Sequence, residues 1–378
     1  MRSLLLILVV ATVGCGSTRD ICVGGNGFCE GNDAAVADVS DAGVVENDAC
    51  AFCSDAPYDV PEAAAPSTEY FLMASESTTS PSSNPADWFG VLRFQFTDDF
   101  VTPVQDTTKD IKANQVQDPF GLAFAKTTAE LFVGNRAGNT QGGGNIMRFV
   151  YDAKTQTFTS FGTPITGNGV ADVHQVALNP AEDQLFVATN TAGLPKFKLV
   201  GNTWTANGMF CNPGDWTRGV AAAPDGKRLY VSTAGTVIRQ FDLVTNQEIL
   251  PALQIPNAIN LHFMTVCSDA KVCPTPQLYV GDAGNGSQTT GGIFRFDIGS
   301  NDDLKVVETI ASGPTFTVAL SPDGQELFAG SAYAGNTIKR FKNVNNAWVL
   351  EPQSITTNGD IMNILAFPSD ATATQQPN

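Results

Sequence analysis

Histidine and positive charge are scarce in this chain of 378 residues. It has two histidines, and its 38 acidic residues outnumber its 21 basic ones, so the formal net charge is −17. Few histidines limit the metal and acid–base sites that the chain can build. The negative charge disfavours nucleic acid as a partner, because the phosphate backbone is also negative.

Three short catalytic motifs are also missing from the chain. It contains no Gly-x-Ser-x-Gly elbow, no His-Glu-x-x-His zinc motif and no phosphate-binding loop. A Ser–His–Asp site stays open as an alternative, because such sites assemble in space and need no fixed spacing. We predict no cofactor.

Glycine (35), proline (21) and phenylalanine (24) are plentiful, and 43% of the residues are hydrophobic. Apolar residues at this level support a packed core. Abundant turn formers together with aromatics favour many short strands joined by tight turns.

The first fifteen residues have the features of an export signal. Met1 and Arg2 form a basic start, and the apolar run of residues 4–13 is too short for a membrane span of ~20 residues. The segment ends at Thr12-Val13-Gly14-Cys15, which resembles the lipobox of bacterial lipoproteins with Thr12 in place of the usual Leu. This resemblance implies lipidation of Cys15 and a membrane partner through the lipid anchor, at the outer membrane or cell surface. An ordinary cleaved signal is the alternative.

Residues 16–66 are predicted to be a disordered acidic tether. They contain ten acidic residues, one basic residue and no sustained apolar periodicity, so they bury too little surface to offset the entropy of ordering. In an exported protein their cysteines are expected to be oxidised. Cys22–Cys29 and Cys50–Cys53 are the simplest pairs among three connectivities.

Two strand motifs recur through the rest of the chain. The first is Leu-aromatic-Val-small, as in residues 131–134, 185–188, 229–232 and 278–281. The second ends in Phe at residues 94, 149, 197, 241, 296 and 341, at intervals of 44 to 55 residues. Pro-Asp-Gly at residues 224–226 and 322–324 marks tight turns. Four strands per interval is the period of a β-propeller.

We therefore predict an all-β, six-bladed β-propeller over residues 67–370, followed by a disordered tail, 371–378. A seven-bladed propeller is the alternative. The first unit lacks an innermost strand, whereas residues 363–368 form a lone one. The C-terminal strand is expected to complete the first blade and remove an open sheet edge.

The Leu-aromatic-Val and Pro-Asp-Gly patterns of residues 67–368 resemble bacterial propellers of the YVTN/NHL type. The resemblance implies the propeller architecture. Some members of that family are lactonases or lyases, whereas many are binding or scaffolding proteins, and a fold does not specify chemistry.

Alignment of the units brings both histidines to one position, at which the six residues are expected to point toward a shared axis. The occupants are Phe120, His174, Arg218, His262, Phe316 and Met362. Two imidazoles beside a guanidinium suggest a site for an anion or carboxylate. Upstream acids are candidates to pair with them: Asp118, Asp172 and Asp215. A purely structural role at the channel rim is the alternative.

Three further predictions concern single sites. The loop with Asp282 and Asn285 faintly resembles a calcium loop but lacks the alternating carboxylates and terminal Glu, so calcium is only an alternative there. Cys267 and Cys273 are expected to form a disulfide, leaving Cys211 as the odd thiol.

These observations favour a lipid-anchored propeller of the cell envelope that binds a small anionic ligand or a protein without catalysis. The alternative is a lactonase-like hydrolase or lyase at the channel mouth that uses His174, Arg218 and His262. A structural envelope component is third.

Overall fold

The computed structural model describes residues 21–22, 29–30, 70–77, 90–96, 104–112, 115–116, 118–136, 144–190, 193–211, 216–267, 273–285, 290–301, 303–332, 336–369 and 371. The chain divides into two units, Met1–Ala63 and Ala64–Asn378. Cys15, the Cys50–Cys53 pair, Asp215 and residues 372–378 lie outside the described residues.

The four described residues of the first unit form a short antiparallel ribbon. Strand β1 (Ile21–Cys22) pairs with β2 (Cys29–Glu30), and the register sets Cys22 opposite Cys29. The Cys22–Cys29 disulfide stays a prediction.

In the described ranges, strands are the only regular secondary structure of the second unit. Blade 1 begins with β3 (Tyr70–Ser77), β4 (Val91–Gln95) and β5 (Val104–Gln105). Blade 2 contains β6 (Pro119–Ala125), β7 (Glu130–Asn135), β8 (Asn145–Asp152) and β9 (Thr157–Ser160). Blade 3 contains β10 (Val173–Leu178), β11 (Gln184–Thr189), β12 (Pro195–Val200) and β13 (Thr203–Met209). Blade 4 contains β14 (Thr217–Ala222), β15 (Arg228–Thr233), β16 (Val237–Asp242) and β17 (Gln247–Gln254).

The last two blades follow the same order. Blade 5 contains β18 (Leu261–Cys267), β19 (Gln277–Asp282), β20 (Gly292–Ile298) and β21 (Leu304–Ile310). Blade 6 contains β22 (Thr317–Leu320), β23 (Glu326–Gly330), β24 (Thr337–Val344) and β25 (Ala347–Thr356). The final strand is β26 (Asp360–Pro368).

Six four-stranded antiparallel sheets confirm the predicted six-bladed propeller, and the seven-bladed alternative is wrong. Five sheets use four consecutive strands, whereas the sheet of blade 1 has the order β26-β3-β4-β5. The register of β26 on β3 runs from Asp360 opposite Ser77 to Pro368 opposite Tyr70. The C-terminal strand therefore completes the first blade.

The Leu-aromatic-Val strands contribute to two cores at once. In β7, Leu131 and Val133 pack with blade 1, whereas Phe132 between them packs with blade 3. Successive side chains of a strand point to opposite faces of its sheet. A continuous apolar run therefore serves a strand that has a neighbouring blade on each side.

Tight turns join the first and second strands of the blades. At the two Pro-Asp-Gly turns, Gly226 and Gly324 have positive φ angles of 72° and 63°, which glycine adopts without steric cost. In blade 3, Glu182 takes the same position with φ 56°. Its carboxylate accepts the backbone N–H groups of Lys126 and Thr127 in blade 2, so this turn also joins two blades.

The cysteines of the propeller follow the prediction. Cys267 and Cys273 form a disulfide with their Cα atoms 6.1 Å apart, while Cys211 is a buried thiol. Within the ranges described, no helix occurs that could cross a membrane.

Candidate functional site

Bulges in the innermost strands position the candidate site. In five blades, the pairing of the first strand with the second skips residues at the same point, and blade 6 begins its strand directly after the equivalent residue. The residues at this point are Phe120, His174, Arg218, His262 with Phe263, Phe316 and Met362. Because a bulge re-aims a side chain, five blades direct a residue inward at this point, and Phe316 of blade 6 joins the same buried cluster.

An aromatic plug closes the axis at this level. We define the plug as Phe120, Phe263, Phe316 and Met362, which form one buried cluster. The ring centroid of Phe120 lies 6.2 Å from that of Phe263 and 6.0 Å from that of Phe316. Phe120 belongs to blade 2 and Phe263 to blade 5, so contact between opposite blades leaves no open channel there.

Both histidines pack against the plug. His174 lies 4.9 Å from Phe120, and His262 lies 3.9 Å from Phe316, measured between ring centroids. Their residues are 4% and 0% exposed. Burial, followed by the nearby charge of Arg218, holds the pKa of each imidazole well below its usual value. Both rings are therefore neutral at neutral pH.

Arg218 is half-buried beside His262. Its Nη1 atom lies 3.3 Å from His262 Nε2. Because arginine can only donate, Nε2 must accept, which places the His262 proton on Nδ1. The Nδ1 atoms of both histidines are buried and have no hydrogen-bond partner within the described part of the chain.

Trp216 lies at the rim beside Arg218. It is 51% exposed, and the Arg218 guanidinium carbon lies 5.9 Å from its ring centroid. An exposed indole next to a guanidinium offers an apolar face and a positive charge side by side.

The upstream acids take two different roles. Asp118 forms a buried ion pair with Arg136, whose Nε atom lies 2.8 Å from Asp118 Oδ2. Asp172 Oδ1 lies 4.0 Å from His174 Nε2, and its side chain is 29% exposed. Burial raises the pKa of both carboxyls, while Arg136 lowers each of them. Asp172 is thus the acid that reaches solvent beside the histidines.

The Asp282 carboxylate is engaged with the backbone. It accepts the N–H groups of Ile259, Asn260 and Gly284 at 2.8–3.1 Å. Asn285 Oδ1 accepts the Thr290 hydroxyl at 2.6 Å. These hydrogen bonds hold the neighbouring loops together. Among the residues that the structure describes, no three His, Cys, Asp or Glu side chains gather as a metal site.

Sequence reasoning missed three residues of this rim: Trp216, Arg136 and Asn190. Trp216 occupies the same place as Asp118 and Asp172, two residues before the bulge. Arg136 and Asn190 follow the second strands, and their N–H groups donate to the carbonyls of Asp118 and Asp172. Extending the alignment by two residues would have found Trp216. Arg136, the partner of Asp118, lies on the neighbouring strand's end, and no sequence pattern identifies it.

A cavity of about 410 Å³ lies on the opposite side of the plug. Its walls are the innermost strands after their bulges, as at Gln175, Val220 and Met264, and it extends to the first turn of the blades at Pro180 and Pro224. The rim with Arg218 and this cavity are therefore separated by the plug.

Solved structures resemble this fold. A proposed 6-phosphogluconolactonase from Bacteroides fragilis is 15% identical with a TM-score of 0.56, covering 80% of this chain and 98% of that chain. A periplasmic gluconolactonase of Pseudomonas aeruginosa is 14% identical with a TM-score of 0.54, covering 77% and 84%. A Lactobacillus plantarum protein is 12% identical with a TM-score of 0.54, covering 79% and 99%. No family model matches the chain, and no curated protein matches its sequence. The likeness shows the propeller fold.

Proposed function

We propose that this chain is an exported, lipid-anchored propeller of the cell envelope that binds a small carboxylate ligand at Arg218 without catalysing a reaction. The observation that carries the proposal is the rim itself, where a half-buried guanidinium lies beside an exposed indole.

Charge and shape at the rim favour a carboxylate. The guanidinium keeps its positive charge at all physiological pH values and matches the two oxygens of a carboxylate. His262 is neutral and accepts from Arg218, so it orients the guanidinium without adding charge. The Trp216 face suits the apolar part of a ligand such as a sugar acid.

Burial of the imidazoles favours binding over catalysis. A general base must come within hydrogen-bond reach of the proton that it removes. His174 and His262 lie beneath the rim against the aromatic plug and present almost no surface. In this arrangement His262 positions Arg218 from below, and the rim groups that a ligand meets are the exposed Trp216 and the half-buried Arg218 and Asp172.

The binding test is calorimetric titration of the protein with D-gluconate, D-galacturonate and, as the neutral comparison, D-glucose. We expect a carboxylate to bind and Arg218→Gln to weaken it about 10- to 100-fold, because hydrogen bonds to a charged group are lost. Arg228→Gln is the control, since Arg228 pairs with Asp303 away from the rim. Equal affinity in wild type and Arg218→Gln would overturn the proposal.

Lactone hydrolysis is the second candidate function. It is favoured by the neutral imidazole of His174 near the Asp172 carboxylate, and the solved propellers that resemble this one include a gluconolactonase. The test is acid release from D-glucono-δ-lactone above the uncatalysed rate. This candidate requires turnover that is lost in His174→Ala and His262→Ala. Its absence in the wild type, on lactone and uronate panels, eliminates the candidate.

The anchor is tested separately. We expect Cys15→Ser to move the protein from the membrane fraction to the soluble fraction, because the modified residue is replaced. Cys22→Ser is the matched control and keeps its membrane association. A Cys15→Ser protein that stays with the membrane would contradict lipidation.

A further inference from the structure

A second cavity lies away from the axis, at the outer rim between blades 2 and 3. Its volume is about 450 Å³, which is within the range of small-molecule sites of about 300–1,000 Å³. One wall is the segment 161–166, which follows β9 of blade 2. The other wall comes from β12, β13 and the turn between them in blade 3. We call it the interblade groove.

Trp204 lines this groove and carries a buried, unpartnered donor. The residue is 9% exposed, and its ring packs edge-on against Phe132, with centroids 5.5 Å apart. The indole Nε1 atom is buried and has no hydrogen-bond partner within the described ranges. A buried donor without an acceptor is costly, and buried tryptophans usually find one. An acceptor supplied by a bound molecule would satisfy it.

The charge in the groove is already neutralised. Arg148 lines the groove, and both its Nε and Nη2 atoms donate to the Glu130 carboxylate. Its guanidinium carbon lies 4.8 Å from the ring centroid of Phe161, which is a wall of the same groove. A paired guanidinium gives no net charge to attract an anion, so the groove favours an uncharged ligand.

The remaining walls alternate hydroxyl and apolar groups. Thr163, Thr166 and Thr203 are exposed at the groove, and the exposed Pro164 supplies apolar surface beside them. Hydroxyls beside apolar carbons match the two kinds of surface that a sugar ring carries. Asn168 fixes this wall, because its amide donates to the carbonyls of Lys196 and Gly208 in blade 3.

We infer that the interblade groove binds a neutral saccharide, with Trp204 Nε1 donating to a sugar oxygen. This site lies in different blades from Arg218 and does not depend on the carboxylate proposal.

The test follows the indole N–H signal of Trp204 by NMR in the full-length protein. The chain has four tryptophans, so the Trp204→Phe variant identifies this signal by its loss. Maltotriose, cellotriose and triacetylchitotriose are the neutral probes, and trigalacturonate is the charged comparison. We expect a neutral probe to shift the Trp204 signal saturably, with trigalacturonate weaker.

Affinities of the variants complete the test. Trp204→Phe is expected to weaken binding about tenfold, because one hydrogen bond is lost while an aromatic ring remains. Trp348→Phe is the matched control, since this outer-strand tryptophan of blade 6 also has a buried Nε1 but does not line the groove. Thr166→Val changes an exposed residue of the groove, and its expected loss of affinity tests the site independently if Trp204→Phe folds poorly.

Two results would overturn the inference. The first is that no neutral probe shifts the Trp204 signal at about 10 mM, the weak end of specific recognition. The second is that neither Trp204→Phe nor Thr166→Val changes the affinity of a probe that does bind.

Discussion

His262 connects the rim to the core through its Nε2 atom and the face of its ring. Nε2 accepts from Arg218, and the ring lies against Phe316 of the next blade. Burial and the Arg218 charge both disfavour the imidazolium, so acidification opposes the folded arrangement. Burial, together with the neighbouring charges of Arg218 and Arg136, disfavours the imidazolium of His174 in the same way.

This predicts a loss of stability in mild acid. The pKa of each histidine in the folded protein is below the ordinary value of 6.5. Below about pH 6.5 the unfolded chain therefore binds more protons than the folded one, and stability falls as the pH decreases. The expected slope is about 1.4 kcal/mol per pH unit for each histidine until its folded pKa is reached. Urea denaturation at several pH values measures it.

The variant His262→Gln isolates the contribution of one histidine to the pH dependence of stability. Glutamine does not titrate, and its amide oxygen can accept from Arg218 in place of Nε2. Carboxyls with raised pKa values, such as that of the buried Asp118, act in the opposite direction at lower pH but are common to both proteins. The free energy of unfolding of the wild type, minus that of the variant, should therefore decrease as the pH is lowered, with the slope expected for one histidine. Parallel stability curves from pH 6.5 to 5.5 would contradict this.

At the scale of the strand, the innermost strands allow neighbouring backbones to approach closely just after the bulge. In blade 4 this position is Gly219. Its backbone N–H donates to the hydroxyl of Ser232, which itself donates to the carbonyl of His262 in blade 5. A Cβ atom at Gly219 would lie 2.3 Å from that carbonyl oxygen and 2.7 Å from the hydroxyl oxygen. Because Gly219 has no side chain, the backbones of blades 4 and 5 can approach this closely next to Arg218.

Gly219→Ala is expected to destabilise the propeller by about 1–3 kcal/mol, because the added methyl group forces a backbone of the neighbouring blade to move. The matched control is Gly299→Ala, where the nearest atom to the new Cβ is the Asp303 carbonyl oxygen at 3.5 Å. That change should stay within about 0.5 kcal/mol. Thermal unfolding of both variants measures the difference, and equal melting temperatures would contradict the close approach.

At the scale of the whole molecule, ring closure depends on contacts between the two ends of the propeller. Besides the pairing of β26 with β3, the Tyr70 hydroxyl donates to Glu326 of blade 6. The Glu76 carboxylate accepts the N–H groups of Asn358 and Gly359. These contacts join residues that are more than 250 positions apart in the chain.

Removal of β26 tests the closure. A protein ending at residue 359 exposes the full edge of β3 and leaves blade 1 with three strands, so we expect aggregation or loss of cooperative unfolding. A protein ending at residue 371 keeps β26 and should unfold like the full chain. Light scattering and calorimetry distinguish the two. A stable monomer ending at residue 359 would show that closure by β26 is not required.

Much of the site was predictable because it is a repeated position. The unit alignment identified the residues that the bulges turn inward, from Phe120 to Met362. Their depth was not predictable, since it depends on ring contacts between blades 2, 5 and 6 that no local pattern encodes.

The amino-acid sequence by itself determined the number of blades and the strand that closes the ring. Strand alternation and turn chemistry are local, so each repeat carries its own pattern. Only the tertiary structure decided that the aromatic plug closes the axis, that Asp118 pairs with Arg136, and that Trp204 leaves a donor in a groove between blades. These features arise where side chains from separate repeats meet, and the meeting points are set by the packing of all six blades together.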